Sequence, residues 1–135
     1  PLRAEQPSEV VIVNRTAEKA EQLAQAFADL GNIQGGGLAS IDGQFDLVIN
    51  GTSASLSGEL PPLPETLFAK GAWAYDMMYG SEPTVFLQWA GPRGAKLLDG
   101  LGMLVEQAAE SFFLWRNVRP ETASVRTLLR QSLNY

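Results

Sequence analysis

Val10-Val11-Ile12-Val13-Asn14-Arg15-Thr16 is the stretch of this sequence that decides the fold. Its four β-branched residues in a row predict a strand that is buried on both faces, as in a parallel sheet. The residues that follow have the apolar spacing of an amphipathic helix. Doubly wound sheets bind nucleotides where the tip of such a strand meets the N-terminus of the next helix. We therefore expect a nucleotide site at the end of this strand.

The cation at the strand tip indicates which nucleotide is bound. An acidic residue there would accept hydrogen bonds from the ribose hydroxyls of NAD, whereas Arg15 suits the additional phosphate of NADP. Thr16 is the predicted N-cap, with its hydroxyl accepting from an amide of the first helical turn. Lys19 stands where a capping box would hold Glu or Gln, and its charge opposes the helix dipole at a cost of about 0.3–1 kcal/mol, which an anion would offset. The alternative is a surface Arg and Lys beside an ordinary helix cap.

Composition limits the classes of function. The chain has 135 residues, of which 45% are hydrophobic and 19% charged, as expected for one globular domain. It has no cysteine and no histidine, which excludes disulfides and thiolate metal sites and removes the commonest general base, so no metal site is predicted. No apolar run approaches the roughly 20 residues that span a bilayer, and the net charge of −5 argues against a broad nucleic-acid surface. We expect a cytoplasmic protein that binds neither nucleic acid nor a membrane.

Short apolar runs predict the other strands. They lie at residues 45–49, 71–76 and 96–99. Residues 35–37, three glycines in a row, predict a flexible turn. The alternation of short buried strands with helical patterns indicates an α/β layer fold with a mainly parallel sheet.

Two helices are predicted in the C-terminal part. The stronger one spans residues 103–116 and has apolar residues along one face. Pro120 is well placed in the first turn of a last helix at residues 121–134. The apolar face of the stronger helix is formed by Leu104, Ala108, Phe112 and Trp115.

Other positions offer ligand contacts without a catalytic centre. Residues 50–53 are small and polar, so they either let a nucleotide approach the backbone or form an ordinary polar turn. Met77 can pack on a flat ring and the Tyr79 hydroxyl can reach a polar substrate, unless both fill a core edge. Gly100 allows close backbone approach before a helix, and the Gln107 amide, in an apolar stretch, needs a buried neighbour or a ligand. No serine has a histidine to activate it, so no catalytic residue is predicted.

Four motifs, in this order and spacing, resemble a known family. The chain is similar, over nearly its whole length, to the C-terminal, NADP-binding part of shikimate dehydrogenase. Gly51 stands where alanine is common in that family. The motifs are Asn14-Arg15-Thr16 with Lys19-Ala20, Asp46-Leu47-Val48-Ile49-Asn50-Gly51-Thr52-Ser53, Tyr75-Asp76-Met77-Met78-Tyr79 with Thr84-Val85-Phe86-Leu87, and Asp99-Gly100-Leu101-Gly102-Met103-Leu104-Val105-Glu106-Gln107-Ala108-Ala109.

The resemblance implies an enzyme of the shikimate pathway to aromatic amino acids, which reversibly reduces 3-dehydroshikimate to shikimate with NADPH. Tyr79 and Gln107 would contact shikimate, and Thr52 and Ser53 would lie near the cofactor. Met77 and Gly100 would line the nicotinamide side. The residues around the adenosine 2′-phosphate would be Asn14, Arg15, Thr16, Ala17, Glu18 and Lys19, with Arg15 the main cation.

The resemblance also implies that residues 1–135 are an incomplete Rossmann-like, doubly wound domain. The family's catalytic lysine and aspartate lie in an N-terminal substrate domain that this chain does not contain, and the glycine-rich loop and first strand of the Rossmann fold are missing as well. That strand is central in the family, between the Arg15-bearing strand and the strand ending at Asn50. Without it, backbone groups on both sides of the gap lack partners. The expected partners are therefore the N-terminal part of the same protein and, through the unpaired strands, a second copy.

Two alternatives remain open. One is a non-catalytic piece that binds a nucleotide weakly or acts only in assembly. The other is a quinate/shikimate-type dehydrogenase with a different substrate preference. In every case the chain alone is expected to be inactive, because its residues include no proton-transfer pair and no pyrophosphate loop.

Overall fold

The computed structural model describes residues 5–133, with the backbone alone at residues 55–56. Helices follow β1, β3, β4 and β5 along this range, and the end of the last predicted helix, residue 134, lies outside it. In chain order the elements are β1 (Val10–Val13), α1 (Ala17–Ala26), β2 (Ile33–Gly36), β3 (Phe45–Asn50), α2 (Ala54–Ser57), β4 (Phe68–Asp76), α3 (Val85–Ala90), β5 (Lys96–Leu98), α4 (Leu101–Arg116) and α5 (Ala123–Ser132), with short 3₁₀ turns at Ala28–Leu30, Leu38–Ser40 and Gly91–Arg93.

The strands form two sheets, and every pairing is parallel. β1 pairs with β2, in a register that runs from Val10 opposite Ile33. The other sheet has the order β3-β4-β5, with Tyr75 opposite both Ile49 and Leu98. The parallel α/β architecture confirms the predicted fold class. β1 and β3 belong to different sheets, as expected if a strand that would lie between them is missing.

The described chain divides into two compact units. The first contains the residues up to Gly43 together with Pro61–Leu67, and therefore β1, α1 and β2. The second contains Gln44–Leu60 and the residues from Phe68 onward, and therefore the three-stranded sheet and the helices α2 to α5. The residues discussed below divide between the two: residues 14–19 lie in the first unit and the other candidate residues in the second.

The first unit is built on a close approach of α1 to β2. A methyl group added to Gly35 would lie 2.3 Å from the carbonyl oxygen of Ala20 and 2.7 Å from Cα of Glu21. Only glycine fits there, because real Cβ atoms do not approach backbone so closely. The prediction of a flexible turn at residues 35–37 is therefore wrong: Gly35 and Gly36 complete β2, and the carbonyl of Gly36 accepts from the Asn14 amide (3.1 Å).

The core of the second unit combines one face of the sheet with its helices. α3 packs against β4 and β5, and α4 contacts α5. None of the helices within the described range is long and apolar enough to cross a membrane. The buried apolar side chains of this core are Phe68, Ala72 and Ala74 of β4, Phe86, Leu87 and Ala90 of α3, and Leu101, Val105 and Ala109 of α4.

The buried face of α4 differs from the apolar face that the sequence predicts. Leu101, Val105 and Ala109 are buried, one turn apart from each other, whereas the residues of the predicted face are exposed. Both rows have the three-and-four spacing of a helix face, so spacing alone does not distinguish them. The exposed row is Leu104, Ala108, Phe112 and Trp115, with Trp115 79% exposed.

The second face of the three-stranded sheet carries large apolar side chains that are exposed. Residues that are in register across parallel strands point to the same face. Leu47 is opposite Trp73, and Ile49 and Leu98 are both opposite Tyr75, so these side chains share one face. We refer to Leu47, Ile49, Trp73 and Leu98, which are between 38% and 50% exposed, as the exposed sheet face.

Candidate functional site

The turn between β1 and α1 is organised by Asn14. Its side-chain oxygen accepts a hydrogen bond from the Thr16 amide (2.9 Å), which folds the chain at the strand tip. Thr16 has an extended backbone (φ −98°, ψ 99°) and serves as the N-cap, so α1 starts at Ala17. The turn therefore ends β1 and begins α1 within three residues, as the sequence predicts. All four residues of β1 are only half-buried, so the prediction of a strand buried on both faces is wrong.

The N-terminus of α1 lacks the predicted side-chain cap. Thr16 makes no side-chain hydrogen bond to the first turn, so that part of the prediction is wrong. The local side-chain bond comes instead from Asn14, which engages the amide of Thr16 itself. Arg15 and Lys19 are both exposed beside these first-turn amides, together with the acidic Glu18.

This arrangement fits a phosphate group. First-turn amides without a side-chain acceptor point out of a helix N-terminus, where the helix dipole favours negative charge. Two exposed cations, Arg15 and Lys19, flank that position. A guanidinium can hold two phosphate oxygens at once. The turn thus has the donors and the charge that the 2′-phosphate of NADP requires.

A polar cluster joins the carboxyl ends of β3 and β4 to the start of α3. Asp76 is fully buried, and its carboxylate accepts from Asn50 Nδ2 (3.1 Å), Thr84 Oγ1 (2.6 Å) and the Met78 amide (2.9 Å). Thr84 also caps α3, because its hydroxyl accepts from the Leu87 amide (3.3 Å). These bonds hold the carboxyl ends of β3 and β4 together and attach them to Thr84, the N-cap of α3.

The roles of Asp76 and Thr84 in this cluster were missed at the level of sequence. The signal that could have found them is an Asn and an Asp that end two neighbouring parallel strands, β3 and β4. Carboxyl ends of neighbouring parallel strands meet at one edge of a sheet. Asn50 also organises its own turn, accepting from the amide (3.1 Å) and the hydroxyl (2.8 Å) of Thr52. The predicted small polar turn at residues 50–53 is therefore held together by its own side chains.

Met77 and Gly100 lie in direct contact. A methyl on Gly100 would lie 2.0 Å from the carbonyl oxygen of Met77, and the Gly100 amide donates to the carbonyl of Met78 (3.1 Å). The amide of Met77 donates to the carbonyl of Asn50 (3.0 Å). A methyl on Gly51 would lie 3.2 Å from Sδ of Met77, a distance that the flexible thioether can relieve by a small shift. These contacts bring together two of the predicted cofactor-binding residues.

Tyr79 and Gln107, the predicted substrate contacts, are both exposed. Water can satisfy the Gln107 amide, so the prediction that it needs a protein or ligand partner is wrong. Tyr79 follows β4 by three residues, and Gln107 lies in the second turn of α4. Tyr75, four residues before Tyr79, loses its proton less readily than an ordinary tyrosine. Burial, together with the nearby carboxylates of Asp99 and Asp76, raises the pKa of Tyr75 above its ordinary value.

Comparison with known sequences gives long matches at high identity. A shikimate dehydrogenase (NADP(+)) from Chromohalobacter salexigens is 63% identical over 133 residues, which cover 98% of this chain and 49% of the relative. One from Cellvibrio japonicus is 61% identical over 136 residues, covering 99% of this chain and 49% of the relative. Residues 100–130 match the family model described as the shikimate 5′-dehydrogenase C-terminal domain. The chain spans about half the length of the relatives it matches.

Solved structures give similar matches. An Ael1 enzyme from Pseudomonas putida superposes with a TM-score of 0.83 at 46% identity, over 91% of this chain and 46% of that one. Shikimate 5-dehydrogenase from Thermus thermophilus, solved in complex with NADP(H) and shikimate, gives a TM-score of 0.72 at 28% identity, over 96% of this chain and 48% of that one.

Three features define the class of protein. The sheets are parallel, a helix begins beside exposed cations at the end of β1, and Gly100 packs against backbone after β5. They are typical of a nucleotide-binding α/β protein of the Rossmann type. The sequence matches identify a particular family within this class of protein. The chain belongs to the shikimate dehydrogenase family and corresponds to its C-terminal part.

Proposed function

We propose that the chain is the cofactor-binding part of a shikimate dehydrogenase that reversibly reduces 3-dehydroshikimate to shikimate with NADPH. The observation that carries the proposal is the uncapped N-terminus of α1 with Arg15 and Lys19 exposed beside it. A chain that matches NADP-dependent relatives at up to 63% identity thus has a turn suited to the phosphate that distinguishes NADP from NAD. NADPH, when bound, supplies the hydride. The chain's own residues bind and orient it.

The roles of the individual residues follow from their positions. Asn14 shapes the turn, and the residues from Arg15 to Lys19 hold the 2′-phosphate, with the guanidinium of Arg15 as the main cation. Met77 and Gly100 line the nicotinamide side, where their tight backbone contact fixes the surface against which a flat ring packs. Tyr79 and Gln107 present an exposed hydroxyl and an exposed amide to the substrate.

The chain's partner in this proposal is the remainder of the same enzyme. The relatives are about twice as long as the matched segment, and the residues of this chain include no histidine and no paired acid suited to proton transfer. The proton-transfer groups would thus be supplied by the other part. A cytoplasmic location belongs to the same proposal, supported by the absence of cysteine from the sequence.

Replacing Arg15 tests the cofactor assignment. In the complete enzyme that carries this chain, Arg15→Ala removes a charge-assisted pair of hydrogen bonds, so KM for NADPH should rise about tenfold to a hundredfold. KM for NADH, which lacks the phosphate, should change little. Initial rates of 3-dehydroshikimate reduction, measured with each cofactor at saturating 3-dehydroshikimate, give the ratio of the two KM values. Equal losses with both cofactors would contradict the phosphate assignment.

Two controls accompany this experiment. Arg119→Ala removes the same charge from an exposed arginine paired with Glu110 (2.8 Å) after α4, and it should leave the NADPH/NADH ratio unchanged. The chain alone should not turn over shikimate. Turnover by the chain alone would contradict the proposal that catalysis needs the rest of the enzyme, and NADPH binding without turnover in the complete enzyme would favour a non-catalytic nucleotide-binding role.

A further inference from the structure

An ion pair links the last helix to Asp99, two residues before the first residue of α4. Arg130 of α5 donates from Nη1 to Asp99 Oδ2 and from Nη2 to Asp99 Oδ1, both at 2.6 Å. The Asp99 side chain is only 3% exposed, against 30% for Arg130. The two residues are 31 positions apart. This is the two-pronged geometry in which a planar guanidinium holds a carboxylate most firmly.

Asp99 is connected directly to the Gly100–Met77 contact. Its Oδ1 also accepts from the amide of Leu101 (3.2 Å), so its side chain spans the backbone of Gly100. On the other side, Gly100 donates its amide to the carbonyl of Met78 (3.1 Å) and packs its Cα on the carbonyl of Met77. The backbone of Gly100 is thus held between the Met77–Met78 turn and a carboxylate whose position is fixed by Arg130.

We propose that Arg130 is a positioning residue for the nicotinamide side of the cofactor site. Through Asp99 it keeps the start of α4 against the Met77–Met78 turn, so that Gly100 and Met77 present one fixed surface to the ring. Loss of the guanidinium leaves a buried carboxylate without its cation, and the carboxylate then turns toward water and displaces the start of α4. This proposal rests on the proposed function for its effect on turnover, but the positioning itself is a property of the chain.

The test replaces Arg130 in the complete enzyme. Arg130→Met keeps the length of the side chain and removes the charge, and kcat should fall about tenfold to a hundredfold because the ring is held less accurately. The fall should be the same with NADPH and with NADH, since the 2′-phosphate site is not involved. Arg130→Lys, which keeps the charge but not the fork, should recover part of the rate. Arg126→Met, one turn earlier on α5, is the matched control and should leave kcat unchanged.

Hydrogen exchange of the Gly100 amide supplies a readout that does not depend on activity. In Arg130→Met, protection of this amide should fall about tenfold or more relative to Arg126→Met, because its bond to the Met78 carbonyl opens more often. Unchanged protection of the Gly100 amide in Arg130→Met would overturn the proposal. So would a lower melting temperature with unchanged kcat, which is the behaviour of a residue that only stabilises the fold, or a change in the NADPH/NADH ratio.

The two proposals fail in different ways. If the unsubstituted enzyme shows no NADPH-dependent reduction of 3-dehydroshikimate, the proposed function fails, and the exchange of the Gly100 amide still decides whether Arg130 positions it. If the enzyme is active and Arg130→Met matches it in rate and in exchange, only the positioning role fails.

Discussion

Gly100 and Gly102 are two residues apart, yet there is no room for a side chain at Gly100 and ample room for one at Gly102. A methyl on Gly100 would lie 2.0 Å from a backbone oxygen, whereas a methyl on Gly102 would meet no atom within 4 Å. Neither glycine has a positive φ that would itself require glycine. The difference between them is therefore one of packing alone.

Alanine substitutions should separate these two glycines. Gly100→Ala forces the start of α4 away from Met77 and should lower the free energy of unfolding by at least about 2 kcal/mol. Gly102→Ala removes backbone freedom from the unfolded chain at an open helical position and should raise it by about 0.5 kcal/mol. Urea unfolding followed by circular dichroism measures both. Similar values for the two variants would show that the Gly100 contact relaxes at little cost.

Single residues also show where prediction from sequence stops. Arg15 was singled out because a cation at a strand tip has few roles, and the structure shows it exposed; its phosphate contact stays a prediction. The Gln107 amide was predicted to need a buried neighbour or a ligand because it lies among apolar residues, but its face of α4 is exposed; its contact with the substrate stays a prediction. Gly35 was assigned to a turn because three glycines in a row resemble a loop. Its actual role depends on Ala20, 15 residues earlier, which no local pattern reveals.

At the scale of elements, α3 depends on one hydroxyl. Thr84 donates to the buried carboxylate of Asp76 and accepts from the amide of Leu87, so it connects the end of β4 to the first turn of the helix. α3 is six residues long and buries Phe86, Leu87 and Ala90. Such a short helix has little stability of its own, so its start must be held by contacts outside it.

Removing that hydroxyl should weaken the whole second unit. Thr84→Val keeps the size of the side chain but takes a donor from a buried carboxylate and the cap from α3, and should lower the free energy of unfolding by about 2–3 kcal/mol. Thr84→Ser keeps the hydroxyl and should cost less than about 1 kcal/mol. Chemical denaturation of the two variants beside the parent gives the comparison. A loss in Thr84→Ser as large as in Thr84→Val would assign the effect to the methyl group instead.

Elements were predictable where one physical signal dominated. The apolar runs of β1, β3 and β4 predict strands, and the structure has these strands within a few residues of the predicted bounds. Their burial was not predictable in the same way, because β1 is half-buried and β3 has one exposed face. β2 was missed because half of it is glycine, which has no preference for strand. In α4 the helix was correct but its buried face was not, because two rows of apolar residues share the same spacing. Which row is buried is decided by the sheet and helices around it.

At the scale of the whole molecule, the two sheets leave strand edges without a neighbour. Among the described strands, β1 pairs only with β2, and β3 pairs only with β4. An open edge presents backbone donors and acceptors that another strand can use, and it promotes association unless charge or proline protects it. β3 also contributes Leu47 and Ile49 to the exposed sheet face.

We therefore expect the isolated chain to self-associate through β3. Sedimentation velocity should show an average mass that rises with concentration. Leu47→Lys puts a charge on the edge strand and should move the association to concentrations at least about tenfold higher. Leu114→Lys makes the same exchange at a strongly exposed position of α4 and should have little effect. The reverse order of effects would place the contact on α4.

The exposed sheet face has an optical consequence. The chain has three tryptophans, and each has a different environment. Trp89 is packed near Phe68 and Phe86 with Arg93 over its ring, Trp115 is almost fully in solvent, and Trp73 lies 44% exposed on the sheet with the Lys96 ammonium 5.3 Å from its ring centre. An indole that loses water emits at shorter wavelength. The emission wavelength of Trp73 therefore reports whether the exposed sheet face is in contact with solvent or covered by a partner.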